Sequence, residues 1–249
     1  MSAIDLYNKP SATFDAKVAQ ALALLRAQAA RHPKLTQASS LGAEDMVVTH
    51  LIHLAGIQSD VFVLDTGKLH PETLALVPKI EKRYTRSVQV YRPQQEAVVR
   101  FVRHNGEDAM YRSVALRKGC CDIRKMEPLA RALAGHDGWI TGLRREQSNA
   151  RAEVAEMVQE PGRVKISPLV DWTWGDVWHF IAQHALDYNE LHDQFFPSIG
   201  CAPCTRAISV GEDFRAGRWW WEQESAKECG LHVQPAAEPL VSSIERNPA

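Results

Sequence analysis

Five cysteines are the most chemically informative residues of this 249-residue chain. Cys120 and Cys121 are adjacent, Cys201 and Cys204 form a CxxC motif, and Cys229 stands alone near the C-terminus. Two intervening residues let both sulfurs of a CxxC motif face one centre, which is typical of metal and redox sites. The sequence therefore predicts that the first four cysteines hold a metal centre and that the fifth thiol is left for chemistry.

The type of metal centre follows from the adjacent pair. A single zinc ion needs four thiolates that converge on one point, and the short peptide between Cys120 and Cys121 makes this convergence awkward. A [4Fe–4S] cluster instead offers four separate iron corners, each of which takes one thiolate. The spacing therefore favours a [4Fe–4S] cluster, and a zinc site and a chain without metal are the alternatives.

Basic residues near the adjacent cysteines fit this prediction. Four thiolates on a cluster core give a net negative charge, which low-dielectric surroundings penalise unless cations lie nearby. The residues that flank the pair are Arg117, Lys118, Arg124 and Lys125. A solvated basic turn is the ordinary alternative for such a run.

Cys229 has the surroundings expected of a nucleophile. It lies in the segment Glu-Cys-Gly-Leu-His, so His232 is close to it in sequence. A thiol near a histidine and arginines has a lowered pKa and is largely thiolate, which is the reactive form. A small buried side chain is the alternative for a lone cysteine.

Three polar loops are suited to an anionic nucleotide. The first lies between a predicted strand and a helix and combines hydroxyls with a helix N-terminus, although it lacks the P-loop pattern. Its candidate residues are Ser39, Ser40, Gly42, Glu44 and Asp45. The second loop contributes Leu64, Asp65, Thr66 and Gly67, and the third contributes Gly142, Arg144 and Arg145. N-capping by the serines is the ordinary alternative at the first loop.

Arginines strengthen the case for an anionic ligand. The guanidinium fork suits phosphate and sulfate oxygens, and Arg215 and Arg218 add two more candidates to Arg144 and Arg145. Any one such arginine is more often a partner in a surface salt bridge. Together with the loops, the four arginines predict a binding site for an anionic nucleotide.

Predicted strands and helices alternate along the chain and determine where these loops lie. Strands are predicted over 60–67, 87–91, 138–142 and 164–170, and helices over 15–31, 46–55, 95–103 and 173–185. This alternation predicts an α/β fold with a doubly wound, mostly parallel sheet, in which ligands bind at the carboxyl ends of the strands. After residue 194 the chain becomes irregular and rich in aromatic residues, and the tail from residue 233 is expected to be mobile.

Bulk composition excludes several classes of protein. Hydrophobic residues make up 45% and charged residues 24%, and the net charge of −1 gives no bias toward nucleic acid or an anionic membrane. No apolar run approaches the roughly 18 residues of a membrane span, and the N-terminus lacks a secretory signal. An odd number of cysteines without an export signal argues against a disulfide framework. We therefore expect a cytoplasmic protein.

In this order, the motifs resemble those of the assimilatory sulfonucleotide reductases, and specifically of the cluster-containing adenylylsulfate (APS) reductases. The resemblance spans residues 38–232 and rests on Ser-Leu-Gly-Ala-Glu-Asp, Leu-Asp-Thr-Gly, Cys-Cys-Asp-Ile-Arg-Lys, Gly-Leu-Arg-Arg, Cys-Ala-Pro-Cys, Gly-Arg-Trp-Trp-Trp-Glu and Glu-Cys-Gly-Leu-His. It implies an adenine nucleotide alpha-hydrolase-like fold. It also implies one domain over 1–232, with a core over about 36–210, a catalytic segment over about 211–232 and a flexible tail over 233–249.

The resemblance implies a specific reaction. An enzyme of this family reduces APS to sulfite and AMP in sulfate assimilation and cysteine biosynthesis, with thioredoxin as the electron donor. Cys229 would attack the sulfate sulfur and become S-sulfonated. Cys120, Cys121, Cys201 and Cys204 would bind a [4Fe–4S] cluster of structural and electrostatic role, and Lys125 would link this cluster to the substrate.

The resemblance also implies a set of substrate-binding residues, and other functions compete with the one it implies. The binding residues are Ser39, Ser40, Gly42, Glu44, Asp45, Leu64, Asp65, Thr66, Gly67, Lys125, Gly142, Arg144, Arg145, Arg215, Arg218 and His232. The competing functions are a reductase of 3′-phospho-APS (PAPS), an iron–sulfur redox sensor without catalysis and a zinc-stabilised nucleotide-binding module. No nucleic acid or membrane partner is expected, and monomer and homo-oligomer stay open.

Overall fold

A computed structural model describes residues 1–223 of the chain. The helices are α1 (Ala3–Tyr7), α2 (Phe14–Arg31), α3 (Ala43–Ala55), α4 (Pro71–Leu74), α5 (Leu76–Tyr84), α6 (Gln95–Asn105), α7 (Val114–Cys121), α8 (Glu127–Ala132) and α9 (Trp174–Gln183). The strands are β1 (Leu35–Ser39), β2 (Asp60–Leu64), β3 (Val88–Tyr91), β4 (Gly138–Ile140), β5 (Met157–Glu160) and β6 (Arg163–Ile166). A π-helical turn, Asp122–Met126, joins α7 to α8.

The six strands form one sheet in the order β3-β2-β1-β4-β6-β5. All neighbouring strands are parallel except β5 and β6, which are antiparallel. From β1 the chain passes to β2 and β3, which lie to one side of β1 in the strand order. It later returns to β4, which lies on the other side of β1. Doubly wound sheets bind ligands where the strand order reverses in this way, so the edge formed by the ends of β1, β2 and β4 is the expected site. The sequence prediction of a doubly wound, mostly parallel sheet is confirmed.

Helices cover both faces of this sheet. Successive residues of a strand point to opposite faces, and β4 shows this directly. Ile140 packs with Val47 and Leu51 of α3, whereas the neighbouring Trp139 packs with Leu129 of α8. Val47 and Leu51 are fully buried, and burial of such a side chain contributes about 1.5–3 kcal/mol.

Helix α3 is the element that fixes the first polar loop. It begins at Ala43, three residues before the predicted start, because Gly42 adopts the extended backbone of an N-cap. It ends at Ala55 and is capped by Gly56, whose left-handed conformation is typical of helix C-termini. The early start places Glu44 and Asp45 in the first turn, at the edge of the sheet where strands β1 and β4 end.

Strands β5 and β6 also differ from the sequence prediction. The strand predicted over 164–170 ends at Ile166, because Val170 turns back to donate its N–H to the carbonyl of Ser167. Strand β5 was not predicted, since its side chains alternate between exposed and half-buried positions at the sheet edge. Among the helices of the described residues, none is long and apolar enough to cross a membrane.

Candidate functional site

A cavity of about 200 Å³, here the main cavity, lies at the carboxyl ends of β1, β2 and β4. Most of the predicted binding residues line it, and they are Ser39, Ser40, Gly42, Glu44, Asp45, Leu64, Thr66, Lys125, Gly142, Arg215 and Arg218. Three loops that are distant in sequence therefore meet with the C-terminal segment at one site.

Asp45 holds the first loop in place. Its carboxylate accepts hydrogen bonds from the backbone N–H and the hydroxyl of Ser40, both at 2.6 Å, and from the N–H of Gly142 at 3.1 Å. Burial raises the pKa of Asp45 to about 6, although the bonds from Ser40 act in the opposite direction. A Cβ atom at Gly142 would lie 2.7 Å from Asp45 Oδ1, so only glycine allows this approach. Asp45 therefore joins the end of β1 to the end of β4.

Arg144 is fully buried and does not line the main cavity. Its guanidinium donates to Glu44 Oε1 at 2.9 and 3.1 Å and to Glu146 Oε2 at 2.8 Å. Burial acts to raise the pKa of Glu44, but Arg144 and a hydrogen bond from Gln147 hold that pKa below its ordinary value. Arg144 thus neutralises Glu44 and fixes the base of the cavity.

The predicted residues Asp65, Gly67 and Arg145 also lie outside the lining of the main cavity. Arg145 is 42% exposed and pairs with Asp171 on the surface. Asp65 accepts hydrogen bonds from the N–H of Gly67 at 3.0 Å and from Arg92 Nε at 2.9 Å, so it shapes the loop that follows β2. His232 and the nucleophile candidate Cys229 lie outside the described residues.

One part of the main cavity is cationic. Arg151, Arg215 and Arg218 are buried there, and the half-buried Lys125 lines the same part of the cavity. Arg218 donates to the carbonyl of Ile199 at 3.2 Å, and Arg151 donates to Gln147 Oε1 at 2.6 Å. Several buried guanidinium groups at one cavity are suited to phosphate or sulfate oxygens.

Another part of the main cavity is apolar and aromatic. Phe62, Leu129 and Trp139 line it from one face of the sheet. His192 also lines the cavity, and burial lowers its pKa to about 4, so its ring is neutral near pH 7. An apolar wall and a cationic wall in one cavity suit a ligand with an aromatic base and an anionic tail.

Sequence reasoning missed several of these lining residues, namely Phe62, Leu129, Trp139, His192, Ser198 and Phe214. Arg151, which follows the third loop in the sequence, also lines the cavity. The aromatic residues carried no usable signal, since an aromatic side chain in a strand is normally a core residue.

The four predicted metal ligands line a second, smaller cavity, here the cysteine cavity. Cys120 and Cys121 end α7, and Cys201 and Cys204 belong to the turn opposite them. The backbone N–H of Cys204 donates to the carbonyl of Cys201 at 2.9 Å, and the hydroxyl of Thr66 lies 3.2 Å from Cys201 Sγ. The structure therefore brings together two cysteine pairs that are far apart in sequence.

The thiols of the cysteine cavity are unbridged, and those of Cys120 and Cys204 are costly to ionise. All four are free cysteines. Burial raises the pKa of Cys120, and it raises that of Cys204 to about 11, with Cys201 acting in the same direction on both. Lys125 acts against this shift at Cys204. A positive metal centre would supply the missing charge, since metal-bound thiolates are deprotonated.

The donor set that a metal centre would meet is four thiols around one cavity. Within residues 1–223, no group of three or more cysteine, histidine or acidic side chains is arranged to hold one metal ion. The four thiols nevertheless surround one cavity, as separate iron corners require. The indole Nε1 of Trp219, which lines the same cavity, is buried without a hydrogen-bond partner among the described residues.

The two cavities are neighbours, because Lys125 and Trp219 line both of them. Lys125 comes from the π-helical turn that follows the adjacent cysteines. An anion in the main cavity and a metal centre in the cysteine cavity would therefore share one ammonium group.

This pairing of a nucleotide-type cavity with four clustered thiols agrees with comparisons with known proteins. A family model described as Phosphoadenosine phosphosulfate reductase domain matches residues 34–207, and the chain belongs to this family of sulfonucleotide reductases. The sequence-based assignment to these oxidoreductases is confirmed.

Individual relatives agree with the family match. The chain is 51% identical to Adenosine 5′-phosphosulfate reductase of Burkholderia cepacia, over 94% of each chain. Its structure is similar to that of phosphoadenylyl-sulfate (PAPS) reductase from Candida auris, with a TM-score of 0.63, 27% identity, and coverage of 74% of this chain and 88% of that one. Yeast FAD synthetase shares the fold alone, with a TM-score of 0.52, 13% identity, and coverage of 82% and 73%.

Proposed function

We propose that this protein is an adenylylsulfate reductase that reduces APS to sulfite and AMP in sulfate assimilation and cysteine biosynthesis. The main support is the shared wall between a cavity with aromatic and cationic sides and a cavity lined by four thiols. The relative from Burkholderia cepacia, which is named for APS, supports this choice of substrate.

Different residues of the main cavity would contact different parts of the nucleotide. Phe62 and Trp139 offer an apolar surface for the adenine base. The first loop, with Ser39 and Ser40, and the hydroxyl of Thr66 offer hydrogen bonds to ribose and phosphate. Asp45, Asp65 and Arg144 act through the backbone or through other side chains, because their own polar groups are occupied within the protein.

The cationic side would receive the phosphosulfate. Arg151, Arg215, Arg218 and Lys125 surround this part of the cavity. They would offset the repulsion between an anionic thiolate and the anionic sulfate group and stabilise the charge that develops on AMP. A single well-placed donor of this kind typically contributes about 10²–10³ in rate.

The chemical step would begin at Cys229. Its thiolate attacks the sulfate sulfur, the bond from sulfur to the bridging oxygen breaks, and AMP leaves with the electron pair. The product is a cysteine S-sulfonate. One thiolate of reduced thioredoxin then attacks the sulfur of Cys229 and expels sulfite, and the second thiolate resolves the mixed disulfide. Two electrons pass from the dithiol to sulfur, and His232 would favour the thiolate of Cys229.

The cysteine cavity would hold a [4Fe–4S] cluster through Cys120, Cys121, Cys201 and Cys204. When bound, the cluster would cross-link α7 to the 201–204 turn and add charge near Lys125, and we assign it no electron of the reaction. Lys125 would contact the anionic substrate from the wall that the two cavities share. We also propose a cytoplasmic location, since such thiols require a reducing compartment.

An anaerobic assay tests the proposed function. Protein, APS and reduced thioredoxin should yield sulfite and AMP, and Cys229→Ser should lose sulfite formation while its iron content is unchanged. A redox sensor would instead keep its output in Cys229→Ser, and a zinc module would be colourless and free of iron.

The PAPS reductase alternative has support of its own, because the structural neighbour from Candida auris is named for PAPS. Turnover of APS and of PAPS, measured side by side under the same conditions, decides between them. A strong preference for PAPS would contradict the proposal.

A further inference from the structure

The last described residues are attached to the helix that carries the adjacent cysteines. Arg117 of α7 donates from Nε to Glu222 Oε1 at 3.0 Å and from Nη2 to Glu222 Oε2 at 2.7 Å. Both side chains are almost completely buried, with 1% and 3% exposed. This bidentate fork is the most directional form of an ion pair between arginine and a carboxylate.

The same segment is attached to the CxxC turn. The backbone N–H of Trp219 donates to the carbonyl of Cys204 at 3.2 Å, and the N–H of Glu222 donates to the carbonyl of Trp219 at 2.8 Å. The Arg117 guanidinium lies 4.6 Å from the centroid of the Trp219 ring. Residues 219–222 are therefore held from both of the segments that carry the four clustered cysteines.

Trp219 shows that this arrangement is imposed on the chain. Its φ of 41° is in the left-handed region, which a bulky side chain adopts only where the surroundings require it. Its ring is almost fully buried and lines both the main cavity and the cysteine cavity. The backbone strain is thus located between the two cavities.

A buried ion pair contributes little net stability compared with a well-packed apolar pair, so stability does not explain the Arg117–Glu222 fork. The fork instead fixes the position of Glu222 relative to helix α7. Cys229 follows Glu222 by seven residues, which span at most about 25 Å. The position of Glu222 therefore sets the region that the thiol of Cys229 can reach.

We propose that the Arg117–Glu222 ion pair is a positioning device for the nucleophile. It fixes the start of the segment that leads to Cys229 relative to the main cavity and to the cysteine cavity. This inference rests on the proposed function, because it takes Cys229 as the attacking group. Neither Arg117 nor Glu222 lines the main cavity, so both are positioning residues and not substrate ligands.

The test uses Glu222→Gln, which keeps the shape of the side chain and removes its charge. The protein with its metal centre is mixed with excess APS and no thioredoxin, and the rate of S-sulfonation of Cys229 is measured by mass spectrometry. We expect this rate to fall at least about tenfold, since small misplacements of reacting groups have effects of this size. Iron content and the Kd for AMP should stay within about twofold of wild type.

Glu127→Gln is the matched control. Glu127 accepts the same bidentate fork from Arg131, at 2.6 and 3.0 Å, but that pair is exposed on α8. Its S-sulfonation rate should match that of wild type. A Glu222→Gln rate equal to wild type overturns the inference, and so does a loss of iron together with AMP affinity, which indicates a general structural role.

A second variant keeps the test decisive if Glu222→Gln does not fold. Arg117→Met combined with Glu222→Leu replaces the ion pair by apolar groups, a change that buried pairs usually tolerate. A purely structural pair predicts a normal S-sulfonation rate in this double variant, whereas the positioning role predicts the same loss of about tenfold or more. Absence of Cys229 sulfonation in wild type would contradict the proposed function itself, and normal rates in every variant would contradict the positioning role alone.

Discussion

Two pairs of arginines differ in whether they line the main cavity, although the sequence predicts that both pairs bind the ligand. Arg144 and Arg145 follow strand β4, and Arg215 and Arg218 lie in the irregular C-terminal segment. Arg144 is enclosed by carboxylates such as Glu44, and Arg145 is on the surface, so neither lines the main cavity. Arg215 and Arg218 both do. Carboxylates of the protein therefore hold Arg144 and Arg145 away from the cavity, although both residues belong to a loop that the sequence predicts to bind the ligand.

The largest expected effect concerns the stability that Arg144 supplies. Arg144→Met keeps the length of the side chain but leaves the buried carboxylate of Glu44 without its cation. Breaking a buried pair in this way lowers the free energy of unfolding by about 3–5 kcal/mol. Urea unfolding followed by tryptophan fluorescence measures it. A loss below about 1 kcal/mol would mean that Arg144 is not the partner that holds Glu44.

The second effect concerns catalysis at the cationic side. Arg218→Met should lower kcat/KM for APS by about 10²–10³, because it removes a donor from the place where negative charge develops. Arg215→Met should act in the same direction. Sulfite formation at several APS concentrations gives both kcat and KM. If Arg145→Met caused an equal loss, the contrast between the two arginine pairs would be wrong.

The third effect is a pH dependence of stability that involves His192. Burial lowers its pKa from 6.5 to about 4, so between these values the folded protein binds fewer protons than the unfolded chain. The free energy of unfolding therefore falls as the pH drops from 6.5 toward 4, by up to about 3 kcal/mol from this residue. His192→Phe should reduce the difference in unfolding free energy between pH 7 and pH 5.

The shifted pKa values of His50 and Asp45 also affect the pH dependence of the free energy of unfolding. His50, whose pKa burial also lowers to about 4, acts in the same direction, so His192→Phe retains part of the slope. Asp45, with its pKa raised from 3.8 to about 6, acts in the opposite direction, because the folded state takes up its proton first as the pH falls. Asp45→Asn should therefore steepen the loss of stability on the acid side. An unchanged slope in both variants would contradict the burial of these groups at the cavity.

The smallest expected effect is at Arg145. Its pair with Asp171 is about half exposed on both sides, and exposed pairs contribute about 0–1 kcal/mol. Arg145→Ala should therefore change the free energy of unfolding by less than about 1 kcal/mol. Its kcat/KM for APS should stay within about twofold of wild type in the same sulfite assay.

The sequence predicted the elements whose signal is local. Strands β2, β3 and β4 and helices α2, α6 and α9 appear where hydrophobic periodicity indicated them. Strand β5 was missed because its pairing with β6, and not its own composition, makes it a strand. The helical region from α7 to α8 was also missed, since polar and cysteine residues interrupt any apolar pattern there.

Some features of the candidate site could likewise be predicted from the sequence, and others could not. The two cysteine pairs could be predicted to meet, because residue type and spacing restrict what four thiols do. The separation of Arg144 from the main cavity could not be predicted, because its partner Glu44 is 100 residues away in sequence. The aromatic wall formed by Phe62 and Trp139 was hidden for a related reason, since the sequence does not distinguish a cavity-lining aromatic residue from a core residue.

The proposed reaction requires that four cysteines hold a metal centre and that the thiol of Cys229 attacks the sulfur of APS. Its most direct test is an anaerobic reaction of the iron-loaded protein with APS in the absence of thioredoxin, followed by peptide mass spectrometry. We expect AMP release, a sulfonate on Cys229 alone and unmodified Cys120, Cys121, Cys201 and Cys204. Sulfite production with an unmodified Cys229 would contradict it.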